Sequence, residues 1–226
     1  MRRIRGIRIV HEDPDLIVVE KDAGLLTCET RRGDERTVEN LLTDYVRKGQ
    51  WKSSKRVYLV HRLDRETSGI MMVAKNERVQ EYFRSAWNEL TSKIYLARVE
   101  GTIEEDEGVF ESYLAEDENM FVRSVKNPQN GKLSITQWKT VGREGNTTLV
   151  EVALKSGRKN QIRVHFSEAG FPIVGDPKYG NAKKRGERLH LHAWKLSFKH
   201  PFSGREMSFE TPVPRIFQCR ERQVRK

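Results

Sequence analysis

The stretch that most constrains this chain is residues 60–69, a polar loop between two apolar runs. It reads Val-His-Arg-Leu-Asp-Arg-Glu-Thr-Ser-Gly. Residues 55–59 precede it and residues 70–74 follow it, and both runs favour short strands, the second of them buried. A polar loop fixed between two rigid strands is a common place for a functional site. The flanks therefore predict that the side chains of this loop are held in place.

Asp64 is the candidate reactive group of the loop. Arg62 and Arg65 flank it in sequence, and neighbouring positive charge favours the ionised carboxylate. Such a carboxylate can act as a nucleophile or as a general base. The residues alone favour an exposed, salt-bridged loop over a reactive carboxylate. The kinase pattern His-Arg-Asp does not fit, because Leu63 intervenes and position 69 is glycine.

The charge balance points to a polyanionic partner. The chain has 226 residues, with 42 Lys and Arg against 32 Asp and Glu, and a formal net charge of +10. An excess of this size favours nucleic acid, although it also serves solubility. Cys28 and Cys219 are distant in sequence, which argues against a disulfide scaffold or a zinc site. No apolar run is long enough for a membrane span, so we expect a cytoplasmic protein.

The order of apolar and turn residues predicts an α+β fold. Strands are expected at 7–10 and 16–20, and helices after Thr37 and after Asn76. A strand is expected at 92–101. Four further strands, at 109–114, 120–126, 132–141 and 147–154, have the spacing of an antiparallel sheet. A helix is expected between 158 and Gly170, and a short closing helix over 212–219.

Several further residues are open to both a functional and a structural interpretation. Lys21 precedes a glycine turn and is a candidate phosphate contact, or simply part of the turn. Tyr95 on a strand and Arg163 on a helix are most simply a packing residue and a solvated cation. The histidines at 190 and 192 suggest hydrogen bonding or packing more than metal binding, since no third ligand stands out. A basic loop is a candidate for phosphate contact through Lys183, Lys184 and Arg185.

Four blocks of sequence resemble the RluA-type pseudouridine synthases. Residues 61–69 match the family pattern His-Arg-Leu-Asp-x-x-Thr-Ser-Gly, and residues 93–97 match Lys-x-Tyr-x-Ala. Residues 157–165 follow Gly-Arg-x-His-Gln-Ile-Arg-x-His, with Asn160 where the family has His. Residues 172–180 follow Pro-x-x-Gly-Asp-x-x-Tyr-Gly. Asp22 also departs from the Lys-Pro-x-Gly pattern usual at Lys21.

The resemblance implies one catalytic domain over residues 1–226, with its core at about 7–217 and a basic C-terminal tail. Its fold would be α+β, a large mixed and mainly antiparallel sheet flanked by helices, with the catalytic cleft across the sheet. The chain would be a compact member without an N-terminal RNA-binding domain. The catalytic residues implied are Asp64, Tyr95 as the active-site aromatic, and Arg163 as the ion-pair partner of Asp64.

The reaction implied is the isomerisation of specific uridines in ribosomal or transfer RNA to pseudouridine, with no cofactor and no metal. The resemblance implies that Arg62 contacts the RNA by filling the space that the uridine vacates, and we expect further RNA contacts from His61, Arg65 and Lys21. We expect a monomer. The alternative is a non-catalytic RNA-binding or ribosome-assembly protein on a synthase scaffold; a hydrolase that uses Asp64 lacks a partner constellation. The sequence leaves open which uridine is modified and whether Asp64 is nucleophile or base.

Overall fold

The computed structural model describes residues 2–29, 33, 36–50, 52–180 and 187–218. The fold is of the α+β class, with a large and mostly antiparallel sheet and few helices, which confirms the predicted fold class. The chain divides into two compact units. The first comprises residues 1–93 and 193–211, and the second comprises residues 94–192 and 212–226. The expectation of a single domain over the whole chain stays a prediction.

The strands of the first unit are β1 (Arg3–Ile4), β2 (Ile7–Glu12), β3 (Leu16–Lys21), β4 (Tyr58–Leu59), β5 (Ser68–Ala74), most of β11 (Leu191–Lys199) and β12 (Glu206–Glu210). Four of them form an antiparallel ladder in the order β1-β2-β3-β5, while β4 pairs with β5 and β12 pairs with β11. The helices of the unit are α1 (Val38–Arg47), α2 (Glu77–Ser85) and α3 (Trp87–Leu90). The two predicted N-terminal strands are confirmed as β2 and β3.

Strand β5 is the buried centre of the first unit, and all 7 of its residues are buried. A continuous apolar run such as Ile70–Ala74 suits a strand that is covered on both faces. Ile70 and Met72 pack in one core cluster with Val79 and Phe83 of α2. The motif loop, defined here as residues 60–67, therefore leads into a strand that packing holds rigidly.

The helices of the first unit begin where their caps predict. The Thr37 side chain accepts a hydrogen bond from the Asn40 N–H, and the Asn76 side chain accepts one from the Val79 N–H. These side-chain oxygens satisfy amide groups that have no partner in the first helical turn. Helix α1 ends at Lys48, which adopts the left-handed conformation just before Gly49. Both predicted helix starts are confirmed.

The second unit is an antiparallel ladder in the order β6-β10-β9-β7-β8. Its elements are most of β6 (Thr91–Glu100), β7 (Glu107–Glu116), β8 (Val122–Val125), β9 (Lys132–Glu144), β10 (Thr147–Leu154) and α4 (Gln161–Glu168). The predicted strands are present, but β8 begins two residues late. The reason is a turn in which the Asp117 carboxylate accepts the N–H groups of Asn119 and Phe121.

Helix α4 is buried more completely than its cationic face predicts. Residues Gln161 to Phe166 are all buried, so Arg163 does not lie on a solvated face. The predicted closing helix is a 3-10 turn at Arg215–Phe217, where the Arg98 Nε donates to the Ile216 carbonyl at 3.2 Å. No helix in the described residues is both long enough and apolar enough to cross a bilayer.

Candidate active site

The motif loop presents alternate side chains to the protein and to solvent. Leu63 and Thr67 are buried, whereas Arg62 and Arg65 are exposed. Asp64 is partly buried, between the exposed arginines. A loop with apolar anchors facing inward keeps a carboxylate accessible without letting it move freely.

Thr27 fastens the centre of the motif loop. Its Oγ1 donates to the Leu63 carbonyl at 2.7 Å and accepts the Leu63 N–H at 3.2 Å. Thr27 is 2% exposed, so these bonds are shielded from water. One hydroxyl thus satisfies both main-chain groups of the residue that precedes Asp64.

Lys21 fastens the same loop from inside the protein. It is fully buried, and its Nζ donates to the carbonyls of Asp22 at 3.0 Å, Leu25 at 2.8 Å and Arg65 at 3.1 Å. An ammonium has three N–H donors, and these carbonyls occupy all three. The predicted RNA contact from Lys21 is therefore corrected: the structure gives it an internal role that joins the Gly24 turn to the motif loop.

Gly24 and Arg65 form a second connection between the turn and the loop. The Gly24 N–H donates to the Arg65 carbonyl at 2.7 Å, and the Arg65 Nε donates back to the Gly24 carbonyl at 3.2 Å. Gly24 has φ +87°, a conformation that favours glycine. Arg65 is exposed at its outer end, as an RNA contact requires.

His61 is half-buried and packs within the first unit, and its role as an RNA contact stays a prediction. Its ring stacks on Trp87, with centroids 4.3 Å apart, and its Nε2 accepts the Met72 N–H at 3.0 Å. Burial, followed by the charge of Lys93, lowers the pKa of His61 to about 3. The imidazole is therefore neutral, with its proton on Nδ1.

Gly69 ends the motif because no other residue fits. Its φ is +118°, and a Cβ there would lie 2.1 Å from the Ala193 carbonyl oxygen. Both the backbone conformation and this close approach exclude a side chain. The glycine fixes the position at which the loop enters β5.

Arg163 in the second unit forms a buried ion pair that the sequence reasoning missed. Its Nε and Nη2 donate to the two carboxylate oxygens of Asp176 at 2.8 and 2.7 Å. Burial alone would raise the pKa of Asp176, but the Arg163 hydrogen bonds and charge, with the N–H groups of Tyr179 and Lys178, lower this pKa below its usual value. Bidentate geometry fixes the plane of the guanidinium.

Asn160 serves the same cluster rather than a surface contact. Its Oδ1 accepts from the Arg163 Nη1 at 3.0 Å, and its Nδ2 donates to the Tyr179 hydroxyl at 3.1 Å. The Tyr179 hydroxyl also accepts the Val122 N–H at 3.0 Å. Asn160 has φ 55°, and asparagine tolerates this left-handed conformation well. The residue that departs from the family pattern thus anchors the start of α4.

Tyr95 lies on β6 opposite Val152, partly buried against the core of the second unit. Asp64 belongs to the first unit, whereas Tyr95 and Arg163 belong to the second. The pairing of Arg163 with Asp64 therefore stays a prediction. Lys183, Lys184 and Arg185 lie outside the described residues.

Two kinds of residue were missed from sequence. Asp176 and Tyr179 lie within the block 172–180, where their chemistry was a usable signal, but neither residue was assigned a role. Thr27 carries no local signal, because its bonds join positions 36 residues apart.

One possible cation site in the described residues consists of Asp13, Asp15 and His200, whose ligand atoms lie within 4.8 Å of one another. The His200 Nδ1 accepts the N–H groups of Phe202 and Ser203. The ring proton is therefore on Nε2, which faces the two carboxylates at 3.5 and 3.7 Å. A metal would need the lone pair of that nitrogen, so this cluster fits hydrogen bonding better than metal binding.

Comparison with known proteins finds relatives that are named as pseudouridine synthases. Ribosomal large subunit pseudouridine synthase D of Neisseria meningitidis serogroup A is 37% identical over 222 residues, which cover 92% of this chain and 59% of that protein. Dual-specificity RNA pseudouridine synthase RluA of Vibrio parahaemolyticus is 37% identical over 208 residues, covering 86% of this chain and 78% of that protein. The chain thus spans less than two thirds of the length of the Neisseria relative.

A solved structure and a family profile agree with these relatives. The structure of human RNA Pseudouridylate Synthase Domain Containing 4 superposes with a TM-score of 0.74 at 26% identity, covering 94% of this chain and 90% of that one. The profile of the RNA pseudouridylate synthase family matches residues 15–168, which include the motif loop and Tyr95. The chain is a member of the RNA pseudouridylate synthase family.

Proposed function

We propose that this chain isomerises uridine to pseudouridine in RNA and that Asp64 is its essential carboxylate. The observation that carries the proposal is the motif loop, because Asp64 is partly accessible on a backbone that Thr27, Lys21 and Gly24 fasten. A binding protein has no need to hold one carboxylate in this way. Preorganised groups are what catalysis requires.

The reaction changes the connection of the base to the sugar without oxidation or net hydrolysis. The bond between N1 of uracil and C1′ of ribose breaks, and a bond between C5 and C1′ forms. C5 loses its proton and N1 gains one, so atoms and electrons balance without a cofactor. Asp64 either attacks the sugar or removes a proton next to C1′. The base must leave its stack to reach the carboxylate.

We assign supporting roles to Tyr95 and Arg163. The Tyr95 ring stacks on the flipped uracil, and its hydroxyl transfers a proton. Arg163 uses one N–H each of Nε, Nη1 and Nη2 on Asp176 and Asn160. A guanidinium has five N–H donors and can contact more than one acceptor group, and we assign Arg163 as the ion-pair partner of the Asp64 carboxylate as well. Asp176 is a positioning residue in this scheme.

RNA is the proposed partner because of the net charge of +10 and the exposed Arg62 and Arg65 on the motif loop. The planar guanidinium of Arg62 suits the space that a flipped base vacates. The name of the Neisseria relative supports large-subunit ribosomal RNA as the first substrate class, and we propose transfer RNA as the second. This function places the protein in the cytoplasm, where we propose that it acts as a monomer.

The test uses purified protein with unmodified transcripts of large-subunit ribosomal RNA and transfer RNA from its source. Pseudouridine is mapped by carbodiimide-dependent primer stops. We expect a new stop with the parent protein and with Glu66→Gln, which removes the other carboxylate of the same loop. We expect none with Asp64→Asn. Tight RNA binding without a stop in any sample would refute the catalytic proposal and favour the non-catalytic RNA-binding protein.

A further inference from the structure

A basic pocket lies at the other end of β5 from the motif loop. It has a volume of about 350 Å³, and the side chains that matter are Glu12, Tyr45, Lys48, Lys55, Arg56 and Lys75. All six belong to the first unit. Four of the six are cations and one is an acid, so the pocket carries a local excess of positive charge.

The floor of the pocket is a fixed hydrogen-bonded group. Lys75 Nζ donates to Glu12 Oε1 at 3.0 Å and to the Asp13 carbonyl at 2.7 Å, and the Tyr45 hydroxyl donates to Glu12 Oε2 at 2.7 Å. Burial raises the pKa of Glu12. The hydrogen bonds from Tyr45 and Lys75 and the charges of Lys75 and Lys48 together lower it by more, so the pKa of Glu12 lies below its usual value. Glu12 is therefore ionised, and Lys75 neutralises it.

The rim of the pocket supplies the unbalanced charge. Lys48, Lys55 and Arg56 are exposed. In the part of the chain that the structure describes, neither Lys48 nor Lys55 forms an ion pair with a carboxylate, and Arg56 has only a 3.7 Å contact with Glu39. The Arg47 Nε donates to the Lys55 carbonyl at 3.0 Å, which fixes the main chain that carries two of these cations.

The pocket favours phosphate over a nucleobase. Its one aromatic side chain, Tyr45, is already covered by the Arg2 guanidinium, 4.8 Å from the ring centroid. A base therefore has no free ring on which to stack. Lysine ammonium groups and an arginine fork are the side chains that neutralise phosphate oxygens.

The pocket is separate from the reacting residues. Leu16 pairs with Ala74 at the pocket end of the ladder, and Lys21 pairs with Gly69 at the motif end. A strand rises about 3.3 Å per residue, so the five steps from Gly69 to Ala74 set the two ends about 17 Å apart. Along an A-form RNA stem, with a rise of about 2.8 Å per base pair, this length corresponds to about six base pairs.

We propose that this pocket binds backbone phosphates of the RNA substrate, in a stem about six base pairs from the target uridine. The proposal rests on the proposed function, because it assigns the pocket to the same RNA. The motif loop then selects the uridine, and the pocket requires a stem of sufficient length beside it. An acidic protein segment is the competing occupant.

The experiment compares two labelled stem-loop RNAs with the same uridine-containing loop and stems of about 4 and about 10 base pairs. The triple variant Lys48→Gln, Lys55→Gln, Arg56→Gln removes the rim charge. A matched control removes two lysines and one arginine that are exposed elsewhere: Lys139→Gln, Lys199→Gln, Arg84→Gln. Fluorescence anisotropy gives the dissociation constant over a range of salt concentrations, and a single-turnover assay gives the rate at saturating RNA.

We expect the parent and the control to bind the long stem more tightly than the short one, and the triple variant to lose this preference. Its plot of log affinity against log salt should be less steep by about three for the long stem, as for the loss of three phosphate contacts on a duplex. Its rate at saturating RNA should equal that of the parent. Two results would overturn the proposal. The first is an equal loss of affinity for the long stem in the triple variant and in the control. The second is competition by polyglutamate that is as effective as competition by the long stem. If no RNA is modified by the parent, the proposed function fails, and the binding data still decide the pocket.

Discussion

The neutral His61 predicts that acid weakens the fold in a defined pH window. Its pKa is about 3 in the folded protein, against about 6.5 in an unfolded chain. Because the folded value is the lower one, the unfolded state binds the extra proton first. Stability is therefore complete above pH 6.5 and falls as the pH decreases toward 3, by about 1.4 kcal/mol per pH unit.

His61→Gln isolates this effect. The glutamine Oε1 can accept the Met72 N–H in place of the histidine Nε2, but glutamine does not titrate. The stacking on Trp87 is lost, which costs about 1 kcal/mol at any pH. Between pH 7.5 and pH 5.0 the free energy of unfolding of the parent should fall by about 2 kcal/mol more than that of the variant.

Urea denaturation at the two pH values, followed by tryptophan fluorescence and circular dichroism, measures this difference. His192, whose pKa burial and the charge of Arg188 lower to about 4, titrates in both proteins and therefore cancels. An equal fall in stability in parent and variant would show that His61 becomes protonated without cost, and the packing argument would be wrong.

Three further substitutions test the contacts that hold the site. Gly69→Ala should lower the free energy of unfolding by about 3 kcal/mol or more, because its Cβ meets the Ala193 carbonyl; urea denaturation measures this. Asp176→Asn should cost about 3 kcal/mol by removing the carboxylate that forms the bidentate ion pair with the buried Arg163, measured the same way. Thr27→Val should cost about 2 kcal/mol by removing both hydrogen bonds to Leu63, and should reduce the isomerisation rate more than the RNA affinity.

Each of these has a matched control. Gly145→Ala also replaces a glycine of positive φ, but no atom lies within 4 Å of its Cβ, so it should cost less than Gly69→Ala. Asp106→Asn breaks an exposed ion pair with Arg143 and should change stability little. Thr27→Ser keeps the hydroxyl and should keep the rate. If a substitution and its control have equal effects, the role assigned to the corresponding contact is wrong.

Local patterns predicted the elements of the fold because local forces determine them. Thr37 and Asn76 cap helices through bonds to residues three positions away, and the run Ile70–Ala74 is buried because it is continuously apolar. The motif that contains Asp64, the proposed essential carboxylate, was likewise contiguous in sequence.

The contacts that fasten the site were not predictable in the same way. Lys21 was assigned to RNA because a lysine beside a turn is usually exposed, whereas its ammonium reaches a carbonyl 44 residues away. Helical periodicity alone favoured a solvated face for Arg163, because it does not show that α4 is surrounded. Burial of a charge depends on partners that tertiary structure supplies, and periodicity contains no information about them.

The fastening of the motif loop acts almost entirely on main-chain atoms: the carbonyls and N–H groups of Leu63, Arg65 and Thr67 accept or donate the bonds. The course of the loop is thus independent of which side chains stand at the exposed position 62 and the half-buried position 66. These side chains can therefore differ without changing the course of the loop. Under the proposed function, the cost of ordering the loop is met once, during folding, and not again at each turnover.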